Sequence, residues 1–94
     1  MTDAKKQRRD TAVALHYDGQ GAPRIVAKGH GHIAQQMTSI AAEHRVPMRR
    51  DDDLASVLAA VPLGDEIPRE LYVAVAQVLL FAYEITGKTL PDRE

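Results

Sequence analysis

Several short strings in this sequence carry the residue types that chemistry needs. The string "GHGH" sets His30 and His32 two positions apart. Imidazoles are the commonest protein ligands of transition metals, and His16 and His44 are further donors. Two histidines at that spacing cannot share one face of a helix, and nothing fixes a carboxylate or thiol beside them. The string therefore reads as a glycine-rich lead into a helix with solvated imidazoles. The run Asp51, Asp52, Asp53 offers hard oxygen ligands to a divalent cation. It lacks the alternating ligands, central glycine and terminal glutamate of a calcium loop. An acidic run ahead of an apolar stretch marks a helix start instead, with Asp52 or Asp53 as the cap. "KGHG" is a turn where helix N–H groups could meet a phosphate, yet neither glycine-rich phosphate fingerprint is present. Ser39 and Ser56 stand in no nucleophile setting and have no histidine at a meaningful spacing. "KKQRR", flanked by Asp3 and Asp10, reads as a solubilising arm rather than a lipid-binding patch. No catalysis, no metal and no cofactor is expected from these spacings.

The elements that would position any site follow from a chain of 94 residues, enough for one domain with little stability to spare. Apolar residues make up 45% and charged residues 27%, the balance of a soluble globular domain. The net charge of −1 gives no reason to expect a nucleic-acid partner. No cysteine is present, so disulfides, thiolate metal sites and cysteine nucleophiles are excluded. "VAVAQVLLFA" is too short for a bilayer and interrupted by Gln77, and the basic start has no apolar stretch after it. A cytoplasmic protein without stable membrane insertion is expected.

"TAVALHYDG" alternates, with Val13, Leu15 and Tyr17 on one face, and "RIVAKG" is a short β-branched run. The loop "DGQGAP" between them predicts an antiparallel hairpin. From Gly31 the period lengthens, and Ile33, Met37, Ile40, Ala41 and His44 fall on one face of a helix. "RVPMRR" predicts a third, parallel strand reached by a right-handed crossover, with Pro47 at its start. "DDDLASVLAAVPLG" predicts a second helix buried through Leu54, Val57, Leu58 and Val61. "DEIPRELYVAVAQVLLFAYEITGK" predicts the longest helix, with Pro68 in its first turn and Gly87 as its stop. Its stripe of Leu71, Val75, Val78, Leu79 and Ala82 is widened by Tyr72, Ala76 and Phe81, more apolar surface than one core face uses. The expected fold is α/β: a small mixed sheet of about three strands packed with three helices. Residues 1–10 and 90–94 are expected to be disordered tails around a domain at 11–89.

In this order and spacing, "AVALHYD", "APRIVAKG", "IAAEHRVP", the Leu54–Ala55 pair and "EIPRELYVAVAQVL" resemble the cytoplasmic C-terminal domain of the FlhB/YscU family. These are the export-switch proteins of flagellar and virulence type III secretion. The resemblance covers residues 12 to 86. It implies the fold of that domain, and a role as a stand-alone, non-enzymatic component or modulator of type III, chiefly flagellar, export. The implied partners are export substrates and export-gate proteins, with no small-molecule substrate and a place at the inner face of the export apparatus. Family members carry a transmembrane region, a linker and a strand ahead of this stretch, then Asn-Pro-Thr-His, where the chain cleaves itself. Here Gln7 and Arg8 stand for Asn and Pro, and Asp10 for His. Self-cleavage needs an asparagine side chain that cyclises, so none is expected. The resemblance also implies an apolar docking patch for export signals, which falls on Ala22, Pro23, Ala76 and Leu79. Two alternatives stand beside this reading. One is a regulatory or assembly factor that competes with a full-length FlhB without binding substrates. The other is a small metal- or ligand-binding protein using His30 and His32.

Overall fold

The alternating run and the β-branched run pair as the sequence suggests. In the computed structural model, which describes residues 10–87, β1 (Thr11–His16) and β2 (Arg24–His30) form an antiparallel hairpin. The register runs from Thr11 opposite His30 to His16 opposite Arg24, and slips between Ala14 and Leu15. Ala14 faces Ala27 while Leu15 faces Ile25, so Val26 is an extra residue, a β-bulge. The bulge lets Ile25 and Lys28, three apart, both stand opposite residues of one β1 face, Leu15 and Val13.

Each face of the hairpin is covered by helix. Helix α1 (His32–Glu43) lies against the face paved with small residues, and its one buried side chain is Ala34. Gly29 sets that close approach. A Cβ there would run into the Ile33 side chain and come within 3.3 Å of Met37 Sδ. The α1 stripe read from the period is therefore rotated: Ile33 and Ile40 are exposed, while Met37 and Ala41 are half-buried. A sheet surface of Ala12, Ala14, Ala27 and Gly29 admits a small residue at the contact and leaves the bulky ones at its edges. The helix ends in a Schellman arrangement, with Arg45 N–H bonded to Ala42 O and Val46 N–H to Ala41 O. Arg45 occupies the left-handed position, φ 57°, where glycine is usual.

The opposite face carries the core. Ile25, Leu58, Ile67 and Val75 are buried together, with Val13, Leu15, Leu54, Val61, Leu71 and Leu79 packed against them. Helix α2 (Asp52–Ala59) contributes Leu58, whereas Val57 faces solvent. Its cap is Asp51, one position before the expected pair: the Asp51 carboxylate accepts the Leu54 N–H at 3.1 Å. At the other end Lys28 Nζ donates to Ala59 O at 2.9 Å and Val61 O at 2.7 Å, a cation on the negative end of the helix dipole. A 3₁₀ turn (Arg69–Leu71), entered through Pro68, leads into α3 (Tyr72–Thr86), and Gly87 closes it.

The α/β class and the three helices stand, but the sheet has two strands among the described residues, not three. Residues 46–50 join no ladder. Pro47 brings no N–H, and side chains hold the segment instead. Arg49 lies over the Phe81 ring at 5.7 Å, and Arg50 approaches Asp52 at 3.3 Å and Asp10 at 3.9 Å. Without that third strand the parallel crossover does not form. The expected tails at 1–10 and 90–94 lie outside the described residues, apart from Asp10, whose carbonyl accepts the Gly31 N–H at 2.9 Å. Among the described residues no helix is long and apolar enough to cross a membrane.

Candidate functional site

The loop that closes the hairpin, residues 17–23, turns through two glycines in the left-handed region, Gly19 at φ 93° and Gly21 at φ 69°. It delivers Ala22 and Pro23 to the start of β2, where the segment after α2 pins them. Ile67 N–H bonds to Pro23 O at 2.9 Å, Ile25 N–H to Asp65 O at 3.0 Å and Gly64 N–H to Ile25 O at 2.8 Å. These bonds extend the pairing of β2 past the hairpin, with Arg24 bridged to Glu66. The Arg24 guanidinium adds bonds to Gly64 O at 3.1 Å and Glu66 Oε2 at 3.2 Å, an exposed pair worth at most about 1 kcal/mol. Its value lies in geometry, because α3 begins only five residues after Ile67 and inherits that anchoring.

A cavity of about 250 Å³ opens between this loop and α3. Ala22, Pro23, Ala76 and Leu79 all line it, so the structure brings together four residues whose two halves are more than fifty positions apart in the chain. Pro23 is buried, Ala22 and Leu79 are half-buried and Ala76 is exposed. Leu79 and Ala22 also pack on the core, so they are wall and foundation at once. Val75 and Ile67, almost wholly buried, form the floor. Tyr17, Tyr72 and Leu80 complete the walls and did not come out of the sequence as site residues. A signal for two of them was present: Tyr72, Ala76 and Leu80 are four apart on one helix face. Apart from the two tyrosine hydroxyls the lining side chains are hydrocarbon, suited to an apolar side chain and unsuited to acid–base or metal chemistry.

The other candidates are placed elsewhere. His30 Nδ1 lies 3.1 Å from Thr11 Oγ1 across the hairpin, and His32 opens α1 as an exposed residue. Among the described residues no three histidine, aspartate or glutamate side chains converge on a point that could hold a metal ion. Asp51 is spent on capping α2 and Asp52 faces Arg50.

The fold is shared with solved C-terminal domains of type III export-switch proteins. A crystal structure of a point-substituted EscU/SpaS C-terminal domain superposes with a TM-score of 0.75 at 25% identity, covering 79% of this chain and 95% of that one. The PscU C-terminal domain gives 0.70 at 26% identity over 76% of this chain and 94% of that one. The chain belongs to the FlhB, HrpN, YscU and SpaS family, whose model matches residues 9–82. The YlqH protein of Bacillus subtilis is 40% identical over 76 residues, 79% of this chain and 82% of that protein. The flagellar biosynthetic protein FlhB of Salmonella typhimurium is 44% identical over 77 residues, 79% of this chain but 20% of that protein. This chain thus spans about a fifth of FlhB.

Proposed function

We propose that this protein is a non-enzymatic component or modulator of type III, chiefly flagellar, export, and that the pocket between the hairpin loop and α3 docks an apolar segment of an export substrate or gate protein. The observation that carries the reading is the convergence of Ala22 and Pro23 with Ala76 and Leu79 on one open apolar pocket. Open apolar surface that a small domain could have buried, and does not, is held for a partner. By occupying such segments the domain would influence which substrates the machinery accepts, working in the cytoplasm at the inner face of the export apparatus. The test is titration of export-signal peptides and soluble gate-protein fragments into isotopically labelled protein. Amide resonances of Ala22, Ala76, Leu79 and Leu80 should shift together and saturably. Shifts scattered over other surfaces, or none at all, would remove the pocket from the account.

A further inference from the structure

The loop that closes the hairpin carries Asp18 followed by Gly19, the one Asp-Gly pair in a chain that contains no asparagine. An aspartyl side chain can close on the nitrogen of the next residue to form a five-membered succinimide. Glycine is the neighbour that least obstructs this closure, because no Cβ shields its nitrogen and its main chain turns freely. Residues 17–23 lie outside helix and strand, and Asp18 is exposed. Gly19 stands in the left-handed region at φ 93°.

A hydrogen bond within the loop brings the reacting atoms to one side. Gln20 N–H donates to Asp18 Oδ1 at 3.0 Å. The ring closed by that bond runs from Oδ1 through Cγ, Cβ and Cα of Asp18 and across Gly19 to the Gln20 nitrogen. Asp18 Cγ and Gly19 N, the two atoms to be joined, are both members of it, so the carboxyl is folded back over the peptide it must meet. The same N–H has a second use. When the Gly19 nitrogen adds to Cγ, negative charge develops on a carboxyl oxygen, and a donor already aimed at Oδ1 is placed to stabilise it. Water has a route as well, since Tyr17, Gly19, Gln20 and Gly21 line an open recess.

We propose that Asp18 isomerises to isoaspartate in the folded protein and thereby remodels the loop wall of the apolar groove beside α3. A C–N bond forms between Asp18 Cγ and Gly19 N, while the amide hydrogen and the OH of the carboxylic acid leave as one water molecule. Water then adds to the Asp18 main-chain carbonyl carbon and breaks its bond to Gly19 N. The chain now runs through Cβ and Cγ, and the free carboxylate sits on Cα. Mass is unchanged, and water is the only co-reactant. The main chain is longer by one methylene in a loop whose ends are fixed, His16 by pairing with Arg24 and Pro23 by the bond from Ile67 N–H. The extra length is taken up between them, where Tyr17, Gly21 and Ala22 form the loop side of the groove. This change is independent of what the groove binds.

The test holds the full chain at body temperature and mildly acidic pH for several weeks, beside the free peptide of residues 10–24. Trypsin releases the same peptide from the protein by cutting after Arg9 and Arg24. Isoaspartate is counted in it by electron-transfer fragmentation and by labelling with an isoaspartyl methyltransferase. Conversion in the folded chain should equal or exceed that in the free peptide, and Asp18→Glu, too long for the five-membered ring, should abolish it. Gln20→Pro removes the donor N–H. If melting shows that variant folded, its conversion should be slower by roughly three- to tenfold, the worth of one hydrogen bond; an unchanged rate would overturn the role given to Gln20. Amide resonances of Tyr17, Gly21, Ala22 and Ala76 should split into a second set that grows in step with the isoaspartate. Slower conversion in the folded chain than in the peptide would mean that the loop guards the pair, and the inference falls whatever Gln20→Pro does. Isoaspartate that leaves those resonances unmoved would overturn the remodelling. Docking at Ala76 and Leu79 is measured before conversion, so its failure is read separately.

Discussion

Replacing Ala76 by aspartate separates a docking surface from a core position. Ala76 is exposed on α3 and borders the apolar pocket. The fold loses only helix propensity, about 0.5–0.7 kcal/mol between alanine and aspartate in a helix interior. For a domain of this size that is a drop of roughly 2–5 °C in Tm. A guest, by contrast, must press an apolar side chain against a carboxylate, which then loses its water without gaining a partner. A penalty of about 1.4 kcal/mol already weakens binding tenfold, and burial of an unpaired charge exceeds that. Leu79→Asp is the contrasting variant. Leu79 is half-buried and packed on the Ile25–Leu58–Ile67–Val75 core, so the same charge is driven inward, against a total reserve of about 5–15 kcal/mol. Circular dichroism melting should show Ala76→Asp folded with a small shift and Leu79→Asp lowered by more than about 10 °C. Peptide titration of the folded variant should show at least a tenfold loss. The reasoning is refuted if Ala76→Asp unfolds, which would put the residue in the core. It is equally refuted if that variant folds and binds as the unsubstituted protein does.

Other outcomes follow from the packing. Gly29→Ala should destabilise by about 1–3 kcal/mol, because its Cβ has no room beside Ile33, and Ile33→Ala in the same chain should restore much of the loss in a double-mutant melting cycle. Arg45→Gly should raise the melting temperature slightly, the left-handed position costing about 1–2 kcal/mol for a side chain and glycine returning part of it as entropy of the unfolded chain; a fall would mean the arginine side chain is holding the α1 terminus. The chain should not cleave itself at Gln7–Arg8. Intact mass after days at neutral pH should equal the full chain with or without Met1, and a fragment starting at Arg8 would overturn that expectation.

The hairpin was legible because two signals agreed, alternation in "TAVALHY" and glycines in the loop. The helices were legible by period, but their orientation was not always. Period ranks bulky residues first, and α1 is seated by Ala34 against a sheet face of alanines and Gly29, so Ile33 and Ile40 turned outward. The expected strand at "RVPMRR" failed for a related reason. Its β-like composition says nothing about a partner edge, and the segment is held by Arg49 on Phe81 and by Arg50 between two carboxylates. The α2 cap moved one residue, to Asp51, since three consecutive aspartates give the sequence no means of choosing. The bulge at Val26 left no trace in the pattern. Of the groove, Ala22, Pro23, Ala76 and Leu79 came from family likeness and not from periodicity. Tyr17 lines the same pocket, a role that its place in the alternating strand pattern did not show.

The light packing of α3 gives the pocket a second meaning. This helix of 15 residues has one fully buried side chain, Val75, while Val73, Leu80 and Ile85 lie open to solvent. An element so lightly held is the natural first unit to open and close in the folded protein, exposing its amides to hydrogen exchange without global unfolding. Because α3 supplies half of the groove, each opening also destroys the site. Occupancy and helix integrity are then thermodynamically linked: a guest at a hundred times its dissociation constant adds about 2.7 kcal/mol to the closed state and slows exchange across α3 roughly a hundredfold. The last helix would thus act as a built-in reporter, its amides recording how often the groove is filled.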